Sequence, residues 1–134
     1  MDYEVLELRD GEIIATIKQK EEERAQQEPD GRYSVIAYNK SDANGGQYMH
    51  RPTFLASEAQ RVPVETWGEG LNAKVFGAAL RHDETGVTIE VPPEGGEFDL
   101  KPGYWTVSSL TGTWTKQYHN GWSAGGIFAK VTYH

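Results

Sequence analysis

Apolar and polar residues alternate along this chain in short runs, and Gly, Pro, Asn and Asp cut the runs roughly every eight to twelve residues. Tyr33-Ser34-Val35-Ile36-Ala37-Tyr38 is typical: β-branched and aromatic residues at period two, stopped by a turn cluster from Asn39 to Gly46. Similar runs follow at Pro52-Thr53-Phe54-Leu55, Val62 to Trp67, Ala73 to Leu80, Val87 to Val91, Glu97 to Leu100, Tyr104 to Val107, Gly112 to His119 and Gly126 to His134. Pro52 and Pro63 mark their runs as edge strands, because proline donates no ladder hydrogen bond. Over Ala73 to Leu80 the alternation predicts Val75, Gly77 and Ala79 on one face, with Lys74, Phe76, Ala78 and Leu80 on the other. Asn120-Gly121 is the strongest hairpin dipeptide in the chain.

The N-terminal part reads differently. Residues 3–9 and 12–17 flank Asp10-Gly11 and predict a tight hairpin over 1–17. Lys18 to Glu28 then consists of good helix formers with no apolar stripe, so it predicts a short solvated helix or a charged loop, closed by Pro29-Asp30-Gly31. The whole predicts one all-β domain over 1–134: an N-terminal hairpin (1–17), a charged helix or loop (18–31) and a main antiparallel β-sandwich, jelly-roll-like, over 32–134. About ten short strands fit that spacing, and no βαβ pattern interrupts them.

Composition narrows the function. The chain has 134 residues and no cysteine, so no disulfide framework, thiolate nucleophile or Cys-based zinc site is available. Thirteen Lys and Arg stand against twenty Asp and Glu, for a net charge of −7. That balance opposes nucleic-acid binding, which draws on Lys and Arg at phosphates. The longest apolar run, Val75 to Leu80, falls far short of the roughly twenty residues of a membrane helix. Met1-Asp2-Tyr3-Glu4 lacks the basic and apolar regions of a signal peptide, so the expected setting is a cytoplasm or a virion.

Catalytic signals are weak. His50, His82, His119 and His134 stand far apart and in no ligand spacing. Gly77-Ala78-Ala79-Leu80-Arg81-His82-Asp83-Glu84 resembles the first metal motif of the cupin family, itself a jelly roll. It is one residue short before the histidine and has Glu84 where a second histidine belongs. Gly96, Pro102 and Gly103 match part of the second cupin motif, but no histidine follows at its spacing. A metal-dependent enzyme using His82 or His119 is therefore the least favoured reading, and no cofactor is expected. There is no Gly-x-Ser-x-Gly elbow, and Gly45-Gly46 and Gly95-Gly96 lack the lysine and helix start of a phosphate loop. Asp83 with Glu84, and Glu94 with Glu97, read as turn solubility.

The aromatic residues carry the most information. Four Trp and seven Tyr are many for this length, and they crowd the C-terminal third. Trp105, Trp114, Tyr118, His119, Asn120 and Trp122 form the candidate binding set. Such rings serve the core, a protein interface or a sugar-stacking platform. The first expectation is a non-catalytic assembly protein, such as a phage capsid decoration (cement) or tail subunit. It would form a homo-oligomer or join a larger particle through these hairpins and its terminal strands. The alternative is a carbohydrate-binding module or lectin using the same rings.

Overall fold

A computed structural model describes residues 25–118 and 120–134. The hairpin expected over 1–17 and the charged stretch up to residue 24 lie outside the described residues. The strands are β1 (Gln26–Gln27), β2 (Tyr33–Ser41), β3 (Gln47–His50), β4 (Thr53–Ala56), β5 (Gln60–Glu69), β6 (Lys74–His82), β7 (Thr88–Val91), β8 (Gly96–Leu100), β9 (Gly103–Thr113), β10 (Gln117–Tyr118), β11 (Gly121–Trp122) and β12 (Gly125–Tyr133). There is no helix among the described residues. The end of the charged stretch is itself a strand, since Gln26 and Gln27 pair with Ser34 and Tyr33.

Two antiparallel sheets result. One runs β1-β2-β12-β5-β8, with β3 also on β2, and the other runs β4-β9-β6-β7. A separate ribbon joins β10 to β11. Without the short β1, β3, β10 and β11, the remaining eight strands, counted along the chain, lie 1-8-3-6 in the first sheet and 2-7-4-5 in the second. The sheets pack face to face: Val35, Ala37, Val62, Val64, Leu100, Ile127, Ala129 and Val131 from one meet Phe54, Ala78, Leu80, Val91, Trp105, Val107 and Leu110 from the other in one cluster. The alternation of these residues with outward polar ones is what the sequence pattern required.

Three local expectations need correction. Val62 to Trp67 belongs to an inner strand, not an edge, because β5 pairs with β8 over its first half and β12 over its second. Pro63 is tolerated because the ladder to β12 stops at Val64, the next residue. The face assignment of β6 also fails. Val75 pairs with Gly112 and Gly77 with Thr111, so Phe76 is an extra, bulged residue of β6; Ala79 pairs with Ser109 and Leu80 with Val107, so Ser108 is the extra residue of a second bulge, in β9. Each bulge reverses the parity of its strand, so Val75 shares the core with Ala78 and Leu80, while Phe76 is 53% exposed. Finally, Gly112 to His119 is not one strand: β9 ends at Thr113 and β10 begins at Gln117.

The outer face of the first sheet carries a cross-strand aromatic row. His50 lies beside Tyr38 (5.5 Å), Tyr38 beside Phe128 (6.4 Å), and Phe128 stacks on Trp67 (5.3 Å). These are register partners on β3, β2, β12 and β5, so the row follows from pairing alone.

Candidate functional site

Register places three connections at one end of the sandwich. Ser41 pairs with Gly125, Glu69 with Gly126, and Lys74 with Thr113. The turn 42–46, the turn 70–73 and the long connection 114–124 therefore come together there. In the first turn, Asp42 Oδ1 accepts the N–H groups of Asn44 (2.9 Å) and Gly46 (2.8 Å), and Oδ2 accepts the Tyr48 hydroxyl (2.8 Å). These bonds, the Tyr48 one foremost, hold the Asp42 carboxyl below its ordinary range and raise the Tyr48 phenol above its own. Gly45, at φ +86°, supplies the left-handed residue the turn needs.

The β10–β11 ribbon is tied down on both sides. Ser41 Oγ donates to Ser123 O (2.9 Å) and accepts the Trp114 indole N–H (2.9 Å). Thr115 N–H donates to Leu71 O (2.9 Å), and Asn72 Nδ2 to Thr115 Oγ1 (3.2 Å). Trp122 lies over Gly45: a Cβ there would sit 3.0 Å from its Cε2 and Nε1. Around these ties the end exposes Met49 (70%), Leu71 (52%), Tyr48 (42%), Trp122 (40%) and Tyr118 (37%). Within the three connections the only Asp, Glu, Lys or Arg residues are Asp42 and Lys116. A cleft of about 310 Å³ opens between the β2–β3 hairpin and the end of β9, lined among others by Lys40, Gln47, Met49, Trp114 and Lys116.

The structure divides the residues singled out in sequence. Trp105 is 1% exposed, donates its indole N–H to Lys101 O (2.9 Å) and packs edge-on against His82 (5.0 Å). It is a core residue and is removed from the surface set. Trp114 is 8% exposed, and Lys116 Nζ stands 4.3 Å from its ring centroid, so an ammonium occupies the face a sugar would need. Tyr118, Asn120 and Trp122 are exposed on the ribbon, and His119 lies outside the described residues. Gln117 pairs with Trp122 and Tyr118 with Gly121, so Gly121 starts the return strand, and Tyr118 and Trp122 emerge on opposite faces of the ribbon. Sequence reading missed Tyr48, Met49 and Leu71. Their signal was present: large apolar residues in stretches otherwise made of turn formers.

His82, considered as a catalytic or metal-binding residue, is 2% exposed with both ring nitrogens engaged. Nε2 lies 2.9 Å from Pro102 O, which can only accept, so this nitrogen donates. Nδ1 then accepts from Thr85 Oγ1 (2.8 Å). The ring ties the β6–β7 turn to the β8–β9 turn. Among the described residues no three His, Asp or Glu side chains are placed to share a metal ion. No protein-family model, curated protein or solved structure matches this chain.

Proposed function

We propose that this protein is a non-catalytic assembly subunit that docks on a protein partner through the loop end of its sandwich. The observation that carries this reading is composition in place: Tyr48 and Met49 on β3 join Leu71, Tyr118 and Trp122 on two of the mutually anchored connections, at an end whose connections are almost free of charge. Protein interfaces are enriched in Tyr, Trp and Met, and their centres are depleted of charge. The elements that surround this patch are already tied to one another, so docking would order little further chain.

The order 1-8-3-6 against 2-7-4-5 supports a jelly roll, in which successive strands pass between the sheets except at one hairpin. Capsid domains, lectins and cupins all use that architecture, so the fold alone does not choose among them. The role of a virion accessory subunit, a decoration or tail protein, joins jelly-roll connectivity to an apolar loop end. The lectin alternative has less to stand on, since Trp105 is buried and Trp114 is capped by Lys116.

Sedimentation velocity over a concentration series, followed by co-sedimentation with particles from the source of the protein, tests the reading. Self-association or co-sedimentation that is lost in Trp122→Ala and Met49→Glu is the expected result. A strict monomer that ignores the particles and binds glycans would overturn it.

A further inference from the structure

The open edges of the two sheets allow a step that rests on the assembly reading and names one partner. The outer strands are β1, β3 and β8 in the first sheet and β4 and β7 in the second. A bare edge invites pairing with another chain, and charges placed along it discourage that. β7 carries Glu90, β8 carries Glu97 and Asp99, and β1 runs directly into Glu28. Two copies joined at any of these edges would bring acids together on a chain already at −7. β3 and β4 carry no charged residue. They differ in what they expose. On β4 the inward Phe54 and Ala56 are buried, whereas β3 exposes Tyr48 on one face and Met49, at 70%, on the other. A strand added beside β3 therefore covers apolar side chains on both of its faces.

Hydrogen-bond alternation fixes which backbone groups of β3 are open. At the turn, Asp42 N–H donates to Gly46 O (2.9 Å). Lys40 with Tyr48, and Tyr38 with His50, are then the hydrogen-bonded pairs of the β2–β3 ladder. The N–H and C=O of Gln47 and Met49 point away from β2, and they meet no partner among the described residues. Between these two residues Tyr48 is already oriented, since its hydroxyl donates to Asp42 Oδ2 (2.8 Å).

We propose that β3 pairs antiparallel with β3 of a second copy of this chain, about a two-fold axis at Tyr48, so that the two first sheets join edge to edge. Gln47 then faces Met49 of the second copy and Met49 faces its Gln47, and four backbone bonds satisfy every open group on both strands. A register centred on Gln47 or on Met49 matches only one of these residues in each copy. Tyr48 meets its own equivalent as a non-hydrogen-bonded pair, the closer kind. The same register sets the turn that holds Asp42 beside His50 and Arg51 of the second copy, acid end against cationic end. The contact is short, so the dimer forms with rising concentration.

Cysteine crosslinking on the full chain tests the register. The chain has no cysteine, so Tyr48→Cys carries a single thiol. At the axis two such residues stand about 4.5 Å apart between Cα atoms, within reach of a disulfide. Gln47→Cys stands about 8 Å from its equivalent, beyond that reach. In a glutathione redox buffer at about 0.5 mM protein, Tyr48→Cys should crosslink at least about tenfold faster than Gln47→Cys or the β4-edge variant Leu55→Cys. Met49→Pro removes an outward donor and spares the β2 ladder. With an unchanged melting temperature, it should weaken self-association in sedimentation velocity about tenfold. Gln47→Cys or Leu55→Cys crosslinking as fast as Tyr48→Cys overturns the proposal, as does a strict monomer at about 1 mM. If the protein stays monomeric while Trp122→Ala still abolishes co-sedimentation with particles, the second copy falls and the assembly reading stands.

Discussion

Gly103→Ala is a sharp test of how the two turns at the far end of the sandwich are joined. Gly103 opens β9 at φ +129°, a conformation L side chains rarely adopt, and an added Cβ would lie 2.6 Å from His82 Nε2. The ring cannot swing aside freely, because it is 2% exposed, packed on Trp105 and bonded to Pro102 and Thr85. The strained backbone costs about 1–3 kcal/mol, and breaking the buried Nε2–H···O bond about 1–3 kcal/mol more. The expected loss is therefore about 2–6 kcal/mol, and at roughly 3–5 °C per kcal/mol the melting temperature should fall by about 6–30 °C. Urea melts of Gly103→Ala, His82→Ala and the double variant check the mechanism. With the ring gone the methyl meets no imidazole, so Gly103→Ala should then cost only the backbone strain, about 1–3 kcal/mol. Additive effects would refute the clash, and a Gly103→Ala variant within about 0.5 kcal/mol of the parent would refute both causes.

Ser41→Ala removes the acceptor of the Trp114 indole and the donor to Ser123 O, so it should cost about 1–3 kcal/mol and alter the near-ultraviolet circular dichroism of Trp114. Phe76→Ala should leave stability within about 0.5 kcal/mol, whereas Leu80→Ala, four residues along the same strand, should cost about 2–5 kcal/mol in denaturant melts. The Glu28 carboxyl is held below its ordinary value of 4.5 by hydrogen bonds, first to Lys130 and then to Ser34. Its folded pKa is depressed, so its contribution is present above pH 4.5 and is lost as pH falls through the folded value. Glu28→Gln should flatten that part of the acid limb in melts from neutral pH downward, and an unchanged limb would count against the pairing.

The strands were legible because their chemistry is local. Trp105 and Val107 about Thr106, and Ala129 and Val131 about Lys130, alternate with polar neighbours as a half-buried strand must. What the pattern hid was set by partners distant in sequence. The period-two rule put Phe76 beside Ala78 and Leu80; only pairing with β9 makes it an extra residue and turns it outward. Pro63 does mark an open side, since β12 stops pairing at Val64, but nothing in the sequence says that β12 flanks the rest of β5 and makes it an inner strand. Gln47 to His50 sits after a turn-rich stretch and becomes strand β3 only because β2 offers its open side. The binding set was half legible for the same reason. Trp122 and Tyr118 announce themselves, but whether Trp105 faces the core depends on the packing of two sheets.

The placement of the exposed apolar residues argues for a loop-end interface over a sheet-face one. The outer face of the first sheet is closed by its aromatic row and by the Lys130–Glu28 pair. That of the second carries hydroxyls that bond within the sheet, Thr53 to Thr106 (2.7 Å) and Thr106 to Asp83 (2.8 Å). Large apolar side chains on that second face are Leu55 and Tyr104, cross-strand partners at its edge, and the bulged Phe76. At the loop end, by contrast, the exposed side chains of β3 and of the connections 70–73 and 114–124 sit on backbone held by bonds that do not involve the Met49, Leu71 and Trp122 tips: Ser41 to Ser123, Thr115 to Leu71, Asn72 to Thr115. A surface that spends hydrogen bonds on fixing the loops beneath exposed Met and Trp side chains is preorganised, and preorganisation lowers the ordering entropy lost when a partner docks.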